Sequence, residues 1–405
     1  MLEFLKNKKV VTVFDIGANK IAAITYKNEN GLPIIIDIDY QKSIGIKKNQ
    51  IINPNELSGV IEKVFRKVCK HKDKKNIFFS NISDTGIIVK KNETEISSGK
   101  LGISKKEVRK VFRKCIFESN RKNKKLIHSF PLKFTLDQEI STSDPLGKKC
   151  EKFAITCLNF HTNANEYDKL KHCFTKKNIK INNFFDSGVS SALGCLTENE
   201  KNIGSVCIDI GCSTTKTTAF LNGKIIYHRI LPIAGNDVTT DLSHGLEISE
   251  ESAEVVKIMH GTITPTFNER VEIDINTNKR KVINKNLLYG IIKPRYEEIL
   301  EIIRDNLFDD IYARVGIKSI VLTGGASKIF GIENLCENIF NRKVRIGQIV
   351  DNKSFFFNKP EFSTLLGLIK LSNNPESFSY LSETNNKKLS TIYDKLDNWI
   401  EESYA

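Results

Sequence analysis

The apolar and polar positions repeat one pattern twice. Residues 10–14 read as a buried strand that runs into Asp15-Ile16-Gly17-Ala18-Asn19-Lys20. A second apolar stretch at 21–26, a polar turn through Asn28 and Gly31, and a third stretch at 34–38 complete the unit. From Asp15 to Asp209, 194 residues on, the order returns: a strand at 205–208, the tip Asp209-Ile210-Gly211-Cys212-Ser213-Thr214, a strand at 216–221, Asn222-Gly223, and a strand at 224–230. Asn-Gly between two strand-like runs is a strong hairpin signal. Helical spacing predicts helices over about 105–125, 165–176, 294–313 and 331–339, and strand-like runs cover 125–136, 153–158 and 319–322.

Each half therefore opens with a hairpin whose tip carries Asp-Ile-Gly. Glycine at such a tip lets backbone N–H groups close on phosphate oxygens, and an Asp at a strand end can hold Mg²⁺ through its water shell. Two such tips predict a clamp on the phosphates of one nucleotide. The strand at 319–322 enters Thr323-Gly324-Gly325-Ala326-Ser327, a turn that permits close approach of a flat ligand such as adenine or ribose.

Length and charge narrow the class. The 405 residues suggest two or three domains. With 40% hydrophobic and 27% charged residues the composition is that of a folded protein. No apolar stretch approaches the roughly 18–20 residues of a spanning helix, and Lys6, Asn7, Lys8 and Lys9 interrupt any secretory h-region; a cytoplasmic chain is expected. Nine scattered cysteines without Cys-x-x-Cys point to reduced thiols, with no zinc site and no disulfide framework. The net charge is +14, and ten Lys or Arg against two Glu fall between Lys105 and Lys125. Val108, Val111, Phe112, Cys115 and Ile116 make that segment an amphipathic helix with a basic outer face. Base-stacking aromatics are not interleaved there, so nucleic acid is not the expected partner.

The order of two phosphate loops and a Gly-Gly turn resembles the actin, Hsp70 and sugar-kinase superfamily. Longer stretches resemble the bacterial cell-division protein family FtsA: Ile208-Asp209-Ile210-Gly211; Leu231-Pro232-Ile233-Ala234-Gly235-Asn236-Asp237-Val238-Thr239-Thr240-Asp241; Ala253-Glu254-Val255-Val256-Lys257; Ile292-Lys293-Pro294-Arg295-Tyr296; Val321-Leu322-Thr323-Gly324-Gly325-Ala326; and Val344-Arg345-Ile346-Gly347. The resemblance implies an α/β fold, the duplicated actin-like (ribonuclease H-like) arrangement, with an inserted 1C subdomain and a C-terminal amphipathic helix. Its implied boundaries are 1A at 8–83 and 160–202, 1C at 84–159, 2A at 203–236 and 316–371, 2B at 237–315, a flexible linker at 372–388, and a membrane-targeting helix at 389–405.

By the same resemblance ATP and Mg²⁺ are the cofactors. Asp15 and Asp209 would position Mg²⁺ through water; Gly17, Ala18, Asn19 and Lys20 would hold the phosphates from one side, and Gly211, Cys212, Ser213 and Thr214 from the other. Gly235 and Asn236 lie on the nucleotide side of 2B, Glu254 and Lys257 would reach the ribose and adenine edge, and Gly324, Gly325 and Ala326 would meet the adenosine. Where the family's second loop usually reads Gly-Gly-Thr-x-Asp, this chain has Cys212, Ser213, Thr214, Thr215 and Lys216. A cation at Lys216 could pair with a phosphate, which favours binding over turnover. Asp186 is the one candidate for orienting an attacking water, so slow or negligible hydrolysis is expected.

The implied function is a scaffold that polymerises, ties FtsZ filaments to the inner membrane at the division site and recruits later division proteins through 1C. FtsZ's acidic C-terminal peptide would bind 2B, with Arg295 beside Tyr296 as the contact. Leu389, Ile392, Tyr393, Leu396, Trp399, Ile400 and Tyr404 recur at helical spacing and form the expected membrane-facing stripe, although Asp394, Asp397, Glu401 and Glu402 outnumber the nearby lysines. A pilus or secretion-system scaffold of the same fold is the alternative, and it would not need the terminal helix. A small-molecule kinase of the superfamily is a further one, against which Lys216 argues.

Overall fold

The first apolar run folds as β1 (Val10–Ile16), buried throughout, and returns antiparallel as β2 (Lys20–Glu29) and β3 (Leu32–Lys42). In this computed structural model, which describes residues 10–29, 32–70, 76–98, 102–266, 269–276, 279–309, 316–347 and 359–373, the chain forms two units, 1–190 with 367–405, and 191–366.

The first unit continues with the short pair β4 (Ile46–Lys47) and β5 (Gln50–Ile51), then α1 (Pro54–Val68) and β6 (Asn76–Ile82). Asn53 starts α1 by accepting the Asn55 and Glu56 amides, and Pro54 supplies the first helical φ. After β7 (Ile88–Ser97), α2 (Lys105–Ser119), β8 (Lys124–Leu136), β9 (Ile140–Thr142) and β10 (Lys152–Asn163) come α3 (Ala164–Thr175), β11 (Ile181–Asp186) and α4 (Ser187–Cys195). One sheet has the order β11-β6-β1-β2-β3 and a separate one β7-β10-β8-β9. That second sheet carries its own core, in which Val108, Val111, Phe112 and Cys115 of α2 pack with Phe134, Phe153 and Ile155. The helix is shorter than its sequence pattern suggests. Asn120 leaves helical geometry and Asn123, at φ 58°, turns the chain into β8, so the last lysines of the basic run begin a strand.

The second unit takes up the end of α4, then α5 (Glu198–Ile203), β12 (Ser205–Ile210), β13 (Thr215–Leu221) and β14 (Lys224–Leu231). There follow α6 (Gly235–Leu246), α7 (Glu250–His260), β15 (Arg270–Asn276), β16 (Lys279–Asn284), α8 (Lys285–Phe308), β17 (Ser319–Thr323), α9 (Ile332–Phe340), β18 (Lys343–Ile346) and α10 (Ser363–Asn373). Its sheet runs β14-β13-β12-β17-β18.

The duplication holds down to the residue. Asp15 pairs with Ala22 and Asp209 with Lys216, each two residues before an equal four-residue tip. β6 then lies parallel to β1, and β17 parallel to β12. This is the duplicated α/β arrangement the sequence predicts. Two expectations need correction. The helix expected to begin at Pro294 begins at Lys285, because Leu288 and Ile292 already belong to the stripe buried with Tyr296, Ile299 and Ile303. Ser372, expected in the linker, is instead buried in α10, and the rest of that expected linker, 374–388, lies outside the described residues. The expected helix at 389–405, with Leu389, Ile392, Leu396, Trp399 and Ile400, lies outside the described residues.

Candidate functional site

Each hairpin tip is closed by its own glycine. Gly17 N–H donates to the Lys20 carbonyl at 3.0 Å, and Gly211 N–H donates to that of Thr214 at 3.0 Å. A β-carbon would meet the same oxygen at 2.9 Å in the first tip and 3.0 Å in the second, so both positions resist any side chain. Asn19 is exposed at the first tip, and its carbonyl accepts from Ser43 N–H at 2.9 Å.

The two aspartates are held differently. Asp15 accepts from Asn81 Nδ2 at 2.8 Å, while Asn81 Oδ1 accepts from Ile16 N–H at 2.7 Å. Asn81 was not singled out from the sequence. The parallel pairing of Phe14 with Ser80 puts it there, and only the alignment of β6 on β1 could have pointed to it. Asp209 faces Lys216, its cross-strand partner, with Nζ 3.4 Å from Oδ2; Ala22 fills the equivalent place in the first hairpin. Both members of the Asp209–Lys216 pair are buried. Its register places Lys216 on the Asp209 carboxylate.

Further segments of the second unit gather around Asp209. Gly324 has φ +88°, and a β-carbon there would lie 2.4 Å from Asp209 Oδ1 and 2.4 Å from the Ile210 carbonyl. Gly325 opens the short 3₁₀ turn Gly325–Lys328. At the start of α6, Gly235 N–H donates to Gly211 O at 3.1 Å and Asn236 N–H to Cys212 O at 2.7 Å. These two amides hold the second tip through its own carbonyls, so they are not aimed outward at an anion. Gly235 is needed for close approach, because its β-carbon would sit 2.9 Å from Ala326 Cβ. Burial pushes the Cys212 thiol up from its ordinary pKa.

Lys257 ties α7 to this point. Its Nζ donates to Gly235 O at 2.8 Å, Thr239 Oγ1 at 2.6 Å and Glu254 Oε2 at 2.5 Å, using all three ammonium donors. Thr239 also donates to Glu254. The Glu254–Lys257 pair is thus part of a network with one buried end, unlike a solvated i,i+3 ion pair. The structure therefore brings Asp209, Gly211, Cys212, Ser213, Thr214, Lys216, Gly235, Asn236, Glu254, Lys257, Gly324, Gly325 and Ala326 into one neighbourhood, and Asp15, Gly17, Ala18, Asn19 and Lys20 into another.

Three expected roles meet prior engagements. Tyr296 is buried and its hydroxyl donates to the Ala326 carbonyl at 2.8 Å, so burial pushes the phenol well above its usual pKa. It braces the Gly-Gly turn from α8 and presents no ring to a partner, which corrects that expectation. Arg295 holds Asp241 through two hydrogen bonds of 2.6 and 3.0 Å and also binds Glu298; the Asp241 carboxylate pushes the guanidinium pKa further up. Asp186 is wholly buried. Its Oδ1 accepts from Val189 N–H at 2.7 Å, capping α4, and its own N–H donates to His128 Nε2 at 2.8 Å.

Comparison with known proteins agrees with this arrangement. Cell division protein FtsA of Agrobacterium fabrum is 28% identical over 388 residues, covering 90% of this chain and 87% of that protein. The FtsA of Buchnera aphidicola subsp. Schizaphis graminum is 26% identical, over 98% of this chain and 99% of its own. Residues 206–367 match the family described as cell division protein FtsA. Over those residues this chain is similar to the FtsA family. The family match spans the second tip, the start of α6, Glu254–Lys257 and the Gly-Gly turn. Among solved structures, the PilM-PilN type IV pilus biogenesis complex aligns with a TM-score of 0.67 at 16% identity, over 91% of this chain and 99% of that one. MreB 5 of Spiroplasma citri bound to AMPPNP aligns with a TM-score of 0.56 at 13% identity, over 91% and 98%. These likenesses show the actin-like fold. No described helix is long and apolar enough to cross a membrane.

Proposed function

We propose that this chain is an ATP-binding, actin-like division scaffold that polymerises, anchors FtsZ filaments to the cytoplasmic face of the inner membrane and recruits later division proteins. The observation that carries nucleotide binding is the convergence on the second tip of Asp209, the start of α6, the Glu254–Lys257 pair and the Gly324-Gly325 turn. The matching tip at Asp15 is proposed to contact phosphate in its own right. The test is co-sedimentation with FtsZ on anionic vesicles, with and without ATP. Joint pelleting that depends on ATP is expected; pelleting of FtsZ alone would reject the scaffold.

The donors fit a hydrated Mg²⁺. A carboxylate offers about four lone-pair sites, so Asp15 with Asn81 on Oδ1, and Asp209 with Lys216 near Oδ2, retain capacity for metal-bound water. Bound Mg²⁺ would neutralise phosphate charge there. Lys216 competes for the same carboxylate. Lys216→Met is therefore expected to lower the Mg²⁺ midpoint for ATP binding about tenfold, equivalent to roughly 1.4 kcal/mol, as read by calorimetry across a Mg²⁺ series. An unchanged midpoint would show that the lysine does not compete. Hydrolysis slower than about 1 per second is expected, because Asp186 Oδ1 caps α4 and Lys216 stands where a carboxylate would help organise water.

We assign the separate sheet of β7 to β10 with α2 to the 1C insertion expected over 84–159, and propose that it recruits later division proteins. On 237–315 a carboxylate of the FtsZ peptide would replace Glu298, the more exposed partner of Arg295. Membrane attachment is assigned to residues 389–405. Substituting Glu at both Trp399 and Ile400 is expected to release the protein from liposomes, because each large side chain withdrawn from the interface forfeits about 1.5–3 kcal/mol; unchanged vesicle pelleting would reject the anchor. One modest tail per subunit gains avidity along a filament. The pilus-scaffold reading draws on the likeness to the PilM-PilN complex, and a chain that neither bound vesicles nor pelleted with FtsZ would favour it.

A further inference from the structure

Two cysteines meet inside the second unit. Cys195 ends α4 and Cys207 lies within β12, and their sulfurs are 3.5 Å apart. Both side chains are buried. Cys207 pairs with Thr218 of β13 on one side and Val321 of β17 on the other, so the ladders on both flanks fix it. Cys195 is the last residue of its helix, where the chain turns toward α5, and its backbone is the easier of the two to adjust. A disulfide needs its sulfurs at about 2.05 Å, and the approach still required is about 1.5 Å.

A fixed cation stands beside the pair. Arg345 of β18 donates to the Cys195 carbonyl at 2.9 Å, and Glu200 of α5 holds its guanidinium through two hydrogen bonds of 2.7 Å. Its positive charge acts on both sulfurs. Burial pushes the Cys207 thiol well up from its ordinary pKa, and the Arg345 charge opposes that shift. Packing alone explains a single buried thiol. Two sulfurs in mutual contact, one at a helix end and one locked in a sheet, with a guanidinium alongside, have the makings of a reactive dithiol.

We propose that Cys195 and Cys207 are an oxidation site whose co-reactant is a hydroperoxide, a reagent small enough to enter when the end of α4 opens locally. The Cys195 sulfur, having lost its proton, attacks one peroxide oxygen. The O–O bond breaks, and with hydrogen peroxide the departing hydroxide takes up that proton as water, leaving a sulfenic acid. The Cys207 sulfur then attacks the sulfenic sulfur, the S–O bond breaks, and the hydroxide leaves with the Cys207 proton as a second water. Two thiols lose two electrons in all and one peroxide becomes two waters. The new bond draws β12 toward α4, and Cys207 stands two residues before Asp209. That oxidation weakens Mg-ATP binding rests on the nucleotide reading above; the disulfide does not.

The test treats the full native chain with hydrogen peroxide, alkylates the remaining thiols under denaturing conditions and maps the peptides by mass spectrometry. A reducible link between the Cys195 and Cys207 peptides, lighter by two hydrogens than the separate thiols, is expected. Cys207→Ser should leave Cys195 as a sulfenic acid that a dimedone reagent labels, and Cys195→Ser should abolish the link. Cys69 and Cys212, both partly exposed, show that the oxidant was active. Their oxidation with Cys195 and Cys207 still alkylated overturns the proposal, as does a link from either residue to another cysteine. Mapping of the unsubstituted chain decides this even where a serine variant folds poorly. By calorimetry the oxidised chain is expected to bind Mg-ATP about tenfold more weakly than the reduced one, and peroxide-treated Cys195→Ser to keep its affinity. Equal affinity in the oxidised and reduced chain overturns the coupling; a reduced chain that binds no ATP overturns the nucleotide reading and leaves the disulfide standing.

Discussion

Gly367→Val is expected to lower stability by about 3 kcal/mol, the upper end of what overpacking costs, and to shift the urea midpoint accordingly. A β-carbon at Gly367 would lie 1.6 Å from the Ser190 carbonyl oxygen and 2.4 Å from its carbon. Both contacts are with the backbone of α4, so no rotamer change relieves them, and α10 would have to move as a body. Tyr26 would then lose its hydrogen bond to Ser372, leaving a buried phenol to be satisfied elsewhere. Gly367→Ala should act in the same direction. A midpoint equal to wild type would mean that α10 does not pack on α4 at this point.

Gly324→Val is expected to abolish the stabilisation that nucleotide confers while costing the unliganded protein less than the Gly367 substitution. The left-handed φ of +88° is strained for any L side chain, at about 1–2 kcal/mol, and the β-carbon would press on Asp209 Oδ1 and the Ile210 carbonyl. Displacing Asp209 disturbs its contact with Lys216 and the carboxylate proposed to face Mg²⁺. A ligand at a hundredfold its Kd stabilises by about 2.7 kcal/mol, and that increment is what the variant should lose. Thermal unfolding with and without Mg-ATP reads both effects. Retention of the full wild-type increment would remove the Gly-Gly turn from the nucleotide site.

The two substitutions differ in what made them visible. Gly324 was legible in the sequence, because a strand running into Gly-Gly is a local signal with few explanations. Gly367 was not: its neighbour Ser190 is 177 residues away in the chain and its helix has no unusual pattern. The same division runs through the candidate site. Both tips were read in full, since a four-residue turn closed by glycine depends only on adjacent residues. Asn81 was missed because a parallel strand pair, β6 on β1, carries no sequence mark of its register. Tyr296 was misread as a surface contact because its place beside Arg295 says nothing of how far α8 extends or which face turns inward.

The sequence alone determined the duplicated hairpins, the position of Asp15 and Asp209 at their ends, the basic amphipathic helix and the resemblance to the FtsA family. These follow from alternation, turn chemistry and helical spacing, which act between residues a few positions apart. Only the tertiary structure decided that Lys216 lies on Asp209, that Lys257 binds α7 to the first turn of α6, that Asp186 Oδ1 caps α4, and that Cys195 of α4 meets Cys207 of β12. Those contacts are made when strands and helices pack, and packing selects partners by shape and unmet polar groups among residues that the chain itself holds far apart.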